Sequence, residues 1–368
     1  MGRPFAGRPP LLQGLRRTGL FRDNALMPDL ATLGWDDAWS SVFAPFREQG
    51  LVPGRIAIQH RGAYDVLTEE GDLRAQITGR LRSDALPVDL PVVGDWVGLD
   101  SAGAIVVVLP RRTKLSRRAA HDAASDDVRE QVIAANLDLV FIVASLGDEV
   151  DPRLLERYVT LALESGARPV ILLTKADLEP DPAAAAADIA GVGGEIPVHA
   201  VSVHTGQGLE SVRGHLASGL TGALLGPSGV GKSTLVNALV GQADLLETGA
   251  VRPDGQGRHT TTRRQLVILP SGGLIVDNPG MRQVHFWLAE GGLTEAFEDI
   301  AALAAECRFT DCTHETEPGC AVQAALADGR LDPARWQRYR DLQRELAELE
   351  GRLDRRGRSR ARRTPPDA

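Results

Sequence analysis

The sequence predicts a multi-domain chain. A small N-terminal β-barrel of the OB type comes first, then a central α/β domain built on a phosphate loop, then a C-terminal helical zinc-binding module. Three observations predict this. Short glycine-punctuated strands fill residues 50 to 118, a phosphate-loop pattern stands at 226–234 among alternating strands and helices, and all three cysteines cluster near one histidine. A length of 368 residues fits two or three domains, and an apolar content of 43% supplies their cores. The formal charge of -8 argues against a uniformly basic nucleic-acid binder but leaves room for local basic patches.

Residues 1–33 carry Gly, Pro and Arg without periodicity and are expected to be a disordered basic arm, or an upstream extension of a chain that starts at Met27. Residues 34–118 form the barrel domain. Trp35, Trp39, Val42, Phe43 and Phe46 recur at helical spacing and predict a short amphipathic helix at its start. Strands are expected at 55–58, 64–67, 75–78, 95–99 and 104–108, with Gly71-Asp72, Gly79 and Gly103 as turns. Five such strands suit an OB barrel, and an SH3-like barrel would read similarly. The basic cluster Arg111, Arg112, Lys114, Arg117 and Arg118 reads either as a solvated charged turn or as a nucleic-acid footprint.

Residues 119–290 alternate buried strands with helices, the pattern of a parallel sheet covered on both faces. Strands are expected at 137–144, 169–173 and 198–202, helices at 154–163 and along the alanine run 183–187, and a hairpin from 266–269 and 273–277. The apolar lead-in Ala223-Leu224-Leu225 precedes Gly226, Pro227, Ser228, Gly229, Val230, Gly231, Lys232, Ser233 and Thr234. Two glycines five apart followed by lysine and a hydroxyl make a phosphate loop. Its amides and the following helix N-terminus converge on one anion. In such a loop Lys232 reaches the β- and γ-phosphates and Ser233 ligates Mg2+. Only three of the 41 basic residues are lysines, which marks Lys175 and Lys232 as positions where arginine does not serve.

A phosphate loop alone does not separate ATP from GTP. Guanine presents two N–H donors, so a selective site needs a carboxylate that accepts both. Thr174-Lys175-Ala176-Asp177 follows a buried strand, at the sheet edge where open α/β folds bind ligands. Asp177 is the candidate acceptor, the Lys175 stem packs over the base, and the Ser202-Val203-His204-Thr205-Gly206 turn offers backbone amides to the base oxygen. These motifs resemble the translational GTPase superfamily, with Thr174 where asparagine is usual. Their order is rotated, because the base motif and the turn precede the loop. The segments Gly257-Arg258-His259-Thr260-Thr261-Thr262 and Asp277-Asn278-Pro279-Gly280 follow it. The central domain is therefore read as a circularly permuted GTPase, which the closeness of domain termini makes feasible. The resemblance implies that Asp277 holds Mg2+ through water, that Thr261 completes its shell, and that the Gly280 amide senses the γ-phosphate.

Residues 291–350 are expected to be helical, and 351–368 a disordered arginine-rich tail. Cys307-x4-Cys312-x-His314-x5-Cys320 supplies three thiolates and one imidazole, a closed tetrahedral set for one structural Zn2+. No apolar run reaches the length of a membrane span, and no secretion signal is visible. The chain is expected to be cytoplasmic and monomeric.

Barrel, permuted GTPase and Cys3His module in this order resemble the RsgA family of bacterial small ribosomal subunit biogenesis GTPases, also called YjeQ or YloQ. Val93-Gly94-Asp95-Trp96-Val97 and the switch motifs carry the likeness together with the zinc spacing. The resemblance implies binding of GTP and GDP, binding to the 30S subunit and its rRNA, and hydrolysis coupled to release. Met281 stands where many GTPases place a water-orienting glutamine, so His259 is the candidate catalytic group beside Lys232. Slow intrinsic hydrolysis, stimulated by the subunit, is expected. Two other readings compete with it: a nucleotide-gated RNA-binding switch with incidental hydrolysis, and an ATP-dependent kinase or ATPase, against which Asp177 speaks.

Overall fold

The computed structural model describes residues 29–118, 130–193, 196–241, 264–277 and 290–361. Leu30 and Leu33, assigned by sequence to the basic arm, are buried. They pack with the first helix, α1 (Asp37–Glu48), whose N-terminus is capped by Asp36 accepting from the Trp39 N–H at 2.9 Å. Helix α1 buries Trp39 and Phe43, whereas Val42 of the expected stripe is exposed.

Five strands follow: β1 (Val52–Gln59), β2 (Tyr64–Thr68), β3 (Gly71–Ala75), β4 (Trp96–Leu99) and β5 (Ile105–Val108), with a short helix α2 (Gly79–Asp84) after β3. β1, β2 and β3 form an antiparallel meander, and β4 joins the other side of β1 and pairs with β5. A parallel bridge between Ile77 and Ile105 links the end of the β3 segment to β5. β3 lies earlier than the expected 75–78. Thr68 Oγ1 accepts from the Glu70 N–H at 3.2 Å and donates to Gly71 O at 2.8 Å, which closes the turn before Gly71 instead of at it.

The basic cluster at 111–118 is not a simple charged turn. Lys114–Arg118 is a strand, β6, paired antiparallel with β7 (Glu130–Ala135). Arg111 forks onto buried Asp95 with two 2.8 Å bonds and also donates to Val88 O and Leu90 O. Arg112 pairs with Asp36 at 2.6 Å and lies over the Trp39 ring. Lys114 pairs with Glu130 at 2.8 Å. Arg111, Arg112 and Lys114 each have a partner within the chain.

The central domain contributes β8 (Leu139–Ser145), α3 (Pro152–Glu164), β9 (Arg168–Thr174), α4 (Pro182–Gly193), β10 (Val198–Ala200), α5 (Leu209–His215), β11 (Thr221–Leu225), α6 (Lys232–Val240), β12 (Gln265–Ile268) and β13 (Leu274–Asp277). The sheet order is β10-β9-β8-β11-β13-β12, parallel except for β12, which forms the expected hairpin with β13. β12 also pairs with β1 between Ile58 and Gln265, so the two domains share one continuous sheet.

A second tie is Arg55, which is fully buried. Its guanidinium donates to Leu33 O, to Gly94 O at 3.3 Å and to Asn136 O at 3.1 Å, joining the N-terminal turn, the segment before β4 and the central domain. Gly94 is required at this junction: its φ is +91°, and a Cβ there would stand 2.1 Å from Ala135 O.

The C-terminal helices are α7 (Glu290–Ala296), α8 (Glu298–Ala305), α9 (Ala321–Asp328) and α10 (Pro333–Ala361). α10 continues to Ala361, which corrects the expectation of a disordered tail from residue 351. Its leucine face (Leu342, Leu346, Leu349) is buried, and the arginine-rich stretch extends the same helix. α7 crosses α3 closely at Gly292, whose N–H donates to Glu164 Oε2 at 2.9 Å. Glu156 of α3 is buried and pairs with both Arg335 (3.0 Å) and Arg338 of α10, and Arg335 also pairs with Asp299 at 2.7 Å. One carboxylate of the central domain thus holds two cations of the C-terminal module.

Candidate functional site

Strands β8, β9 and β10 step outward in one direction, and the chain then returns to place β11 beside β8 and build the other half. That reversal opens a crevice at the carboxyl ends of β8 and β11, where open parallel sheets bind ligands. The expected phosphate loop occupies it, between β11 and the first residue of α6, Lys232. Gly226 sits at φ +152°, and a Cβ there would stand 2.2 Å from Val143 O of β8, so only glycine lets the loop leave the sheet here. Lys232 Nζ donates to Gly226 O at 2.8 Å and to Pro227 O at 2.5 Å, which holds the ammonium inside the loop.

Asp277 ends β13, the neighbour of β11, and is buried. Burial pushes its carboxyl up to about 6, against the pull of the nearby Lys232 ammonium. A buried carboxylate beside a phosphate loop is chemically suited to a divalent cation, which restores the charged form.

The base motif lies at the same edge. Thr174 Oγ1 is 2.9 Å from Ala144 O and 2.5 Å from Val230 O, so its single proton ties β9 either to β8 or to the phosphate loop. The substituted threonine therefore keeps a link between base motif and loop. Lys175 adopts a left-handed conformation at φ +58°, with its ammonium 3.5 Å from Asp148 and its stem beside Gly147. Ala176 is buried, and its N–H donates to Val201 O at 3.1 Å. Ser202 Oγ donates to Asp177 Oδ1 at 2.5 Å and accepts from the Thr205 N–H at 3.2 Å. That hydroxyl holds the Asp177 carboxyl below its usual range. Asp177 and the Ser202-Val203 turn, 25 residues apart in sequence, are brought into direct contact. His259, Thr261 and Gly280 lie outside the described residues.

Cys307, Cys312, His314 and Cys320 also converge, with their ligand atoms all within 4.8 Å of one another. Cys307 Sγ is 3.9 Å from Cys320 Sγ, and His314 Nδ1 is 3.5 and 3.4 Å from those two sulfurs. Zn–S and Zn–N bonds of about 2.3 and 2.0 Å give tetrahedral edges of roughly 3.5–3.8 Å. The cluster fits a metal ion of that kind. His314 is placed by a left-handed backbone at φ +60°, by Gln323 Nε2 donating to its carbonyl at 2.6 Å, and by the edge of Trp336. Sequence spacing pointed to the four clustered side chains and gave no sign of Gln323 and Trp336.

A phosphate loop at the switch point, with base motif and turn encoded before it, defines a circularly permuted nucleotide-binding protein of the GTPase class. The comparisons agree. Residues 108–287 match the RsgA GTPase family. The chain is 44% identical over 341 residues to the small ribosomal subunit biogenesis GTPase RsgA of Opitutus terrae, covering 88% of this chain and 92% of that protein. Its counterpart in Streptomyces coelicolor is 44% identical over 340 residues, covering 90% and 91%. The solved structure of YjeQ from Thermotoga maritima matches with a TM-score of 0.59 at 26% identity, covering 81% of this chain and 99% of that one. The structure of YloQ, described as a circularly permuted GTPase, matches at a TM-score of 0.57 and 25% identity, covering 81% and 96%. The chain belongs to the RsgA GTPase family.

Proposed function

We propose that this GTPase hydrolyses GTP during late assembly of the small ribosomal subunit, with the subunit stimulating hydrolysis and hydrolysis driving release. The observation that carries the guanine half is the Ser202–Asp177 contact at the same sheet edge as the phosphate loop. An acceptor so held meets the two guanine N–H donors without having to reorganise. The loop residues Gly226–Thr234 cradle the phosphates. Lys232 leaves its two carbonyls for phosphate oxygens, Ser233 and Thr261 ligate Mg2+, and Asp277 holds the ion through water. The Gly280 amide reads the γ-phosphate, and His259 orients the attacking water. Mg2+ supplies charge neutralisation between the β- and γ-phosphates.

The four C-terminal ligands hold one structural Zn2+. The N-terminal strands form a barrel of the OB type; the pairing of β1 with β2 and β4, and the Ile77–Ile105 bridge, support this reading. It faces rRNA on the 30S subunit. The protein works as a cytoplasmic monomer; no helix among the described residues is long and apolar enough to cross a membrane. A competition titration tests the guanine half. GTP is expected to displace a labelled nucleotide at least about 100-fold more effectively than ATP, the worth of two charge-assisted hydrogen bonds. A preference for ATP that survives Asp177→Asn defeats the proposal.

A further inference from the structure

A second cavity, of about 500 Å3, opens at the other end of the central sheet, where the N-terminal domain meets it. Its floor is the amino-terminal side of the strands: Asp138 precedes β8, Arg168 opens β9, and Ser218 stands before β11. Its roof is Trp35, Arg55 and Arg112 of the N-terminal domain, with Trp39 and Trp96 behind. The phosphate loop leaves the opposite ends of the same strands, roughly 20 Å away at ~3.3 Å per residue. This cavity is separate from the nucleotide crevice.

Its charges are unevenly met. Arg55 is wholly buried, yet it has no ion pair among the described residues; three backbone carbonyls occupy three of its five N–H groups. The carboxylates that bear on it electrostatically are Asp138 and Asp95, and both are held elsewhere. Asp138 Oδ2 accepts from the Thr221 N–H at 2.7 Å, and Asp95 is forked by Arg111. Arg168 is exposed and likewise lacks an ion pair among the described residues. Arg112 is neutralised by Asp36. Arg55, Arg112 and Arg168 outnumber Asp36 and Asp138 in the lining, so the cavity keeps an excess positive charge that an entering anion offsets. Beside these cations stands the half-buried indole of Trp35, packed edge-on against Trp96 at 4.7 Å and fixed by its Nε1 donating to Ser40 Oγ at 2.8 Å. A rigid aromatic wall next to unpaired guanidinium groups suits a planar ring joined to an anion.

We propose that this inter-domain cavity binds a phosphate monoester of mononucleotide size, with its phosphate on Arg55 and Arg168 and its planar base against Trp35. Such a ligand touches both domains at once. It would therefore set their relative stiffness without entering the GTP site.

The full chain, saturated with GDP and Mg2+ so that the phosphate loop is filled, is titrated with AMP, adenosine and inorganic phosphate. Three of the five tryptophans line the cavity, so intrinsic fluorescence reports occupancy. AMP is expected to give a saturable change, with adenosine and phosphate each at least tenfold weaker. Arg168→Ala is expected to weaken AMP at least tenfold and leave GDP affinity unchanged; its exposure makes it a safer probe than Arg55, which ties three segments together. A 5′-phosphorylated RNA hexamer separates the two sources of this chemistry, a free nucleotide or the end of an RNA strand. Saturable binding of either one that Arg168→Ala weakens supports the site. No saturable change with either, or binding that Arg168→Ala leaves intact, overturns it. Phosphate binding as tightly as AMP overturns the aromatic half.

Discussion

Replacing Asp277 by asparagine separates what this carboxylate costs the fold from what it does for the bound ion. Burial raises its folded value from 3.8 to about 6. A group whose folded value is raised favours the fold when protonated. Stability is therefore lost as pH climbs from the unfolded value through the folded one, and the whole penalty applies above about 6. At 1.36 kcal/mol per unit, keeping Asp277 ionised at neutral pH costs the nucleotide-free protein about 3 kcal/mol as an upper figure. Asparagine has nearly the same shape and no charge, so Asp277→Asn is expected to raise nucleotide-free stability by about 1–3 kcal/mol at pH 7.5, and by much less at pH 4.5. With Mg2+ and GDP the order reverses, because the parent carboxylate gains the cation and the variant cannot. Urea unfolding at the two pH values, with and without Mg2+ and GDP, measures all four terms. A variant less stable than the parent at pH 7.5 without nucleotide would refute the burial argument, and equal stabilisation of both by Mg2+ and GDP would remove Asp277 from the ion site.

Other consequences follow from the same geometry. Asp177→Asn replaces an acceptor-only group with one that also donates, so GTP affinity should fall about 100-fold while xanthosine triphosphate, which carries a carbonyl where guanine has its amino group, should gain; competition binding reads both. Asp95→Ala strands the half-buried Arg111 guanidinium and should destabilise the N-terminal domain by about 3 kcal/mol, visible in chemical denaturation. Glu156→Ala removes the buried carboxylate that Arg335 and Arg338 of α10 share, and should loosen the C-terminal helices by a few kcal/mol, seen as faster amide exchange in α10 with little change in the sheet. Elemental analysis should find one zinc per chain, and chelation or Cys320→Ser should melt the C-terminal module first.

Features legible in the sequence were those whose cause is local. The phosphate loop announces itself through glycines and a lysine within nine residues, and β8, β9 and β11 through unbroken apolar runs that only a two-sided core explains. The Cys3His cluster is likewise legible by spacing. The ion pairs and buried cations were not. Arg55 meets its partners 22, 39 and 81 positions away, and Glu156 meets Arg335 across 179, separations no local pattern encodes. The strand β6 was hidden because its charges imitate a solvated turn; Lys114 and Arg117 find Glu130 and Gln131 on its partner strand. The extension of α10 was hidden for a related reason. Arginine-rich sequence reads as disorder when alone, but here it continues a helix already anchored by Leu342, Leu346 and Leu349. The sequence motif around Asp95 carried the family likeness, and the structure gives it a physical purpose: Asp95 neutralises Arg111 in the core, and Gly94 allows the central domain to approach.

Rotated order and subunit dependence meet in one measurement. Multiple-turnover release of phosphate from GTP should be followed with the purified chain alone and with added 30S subunits. Slow turnover alone and a rise of at least an order of magnitude with subunits is the predicted result. GTP turnover that is unaffected by 30S subunits, or ATP turnover that they stimulate equally, would contradict the account.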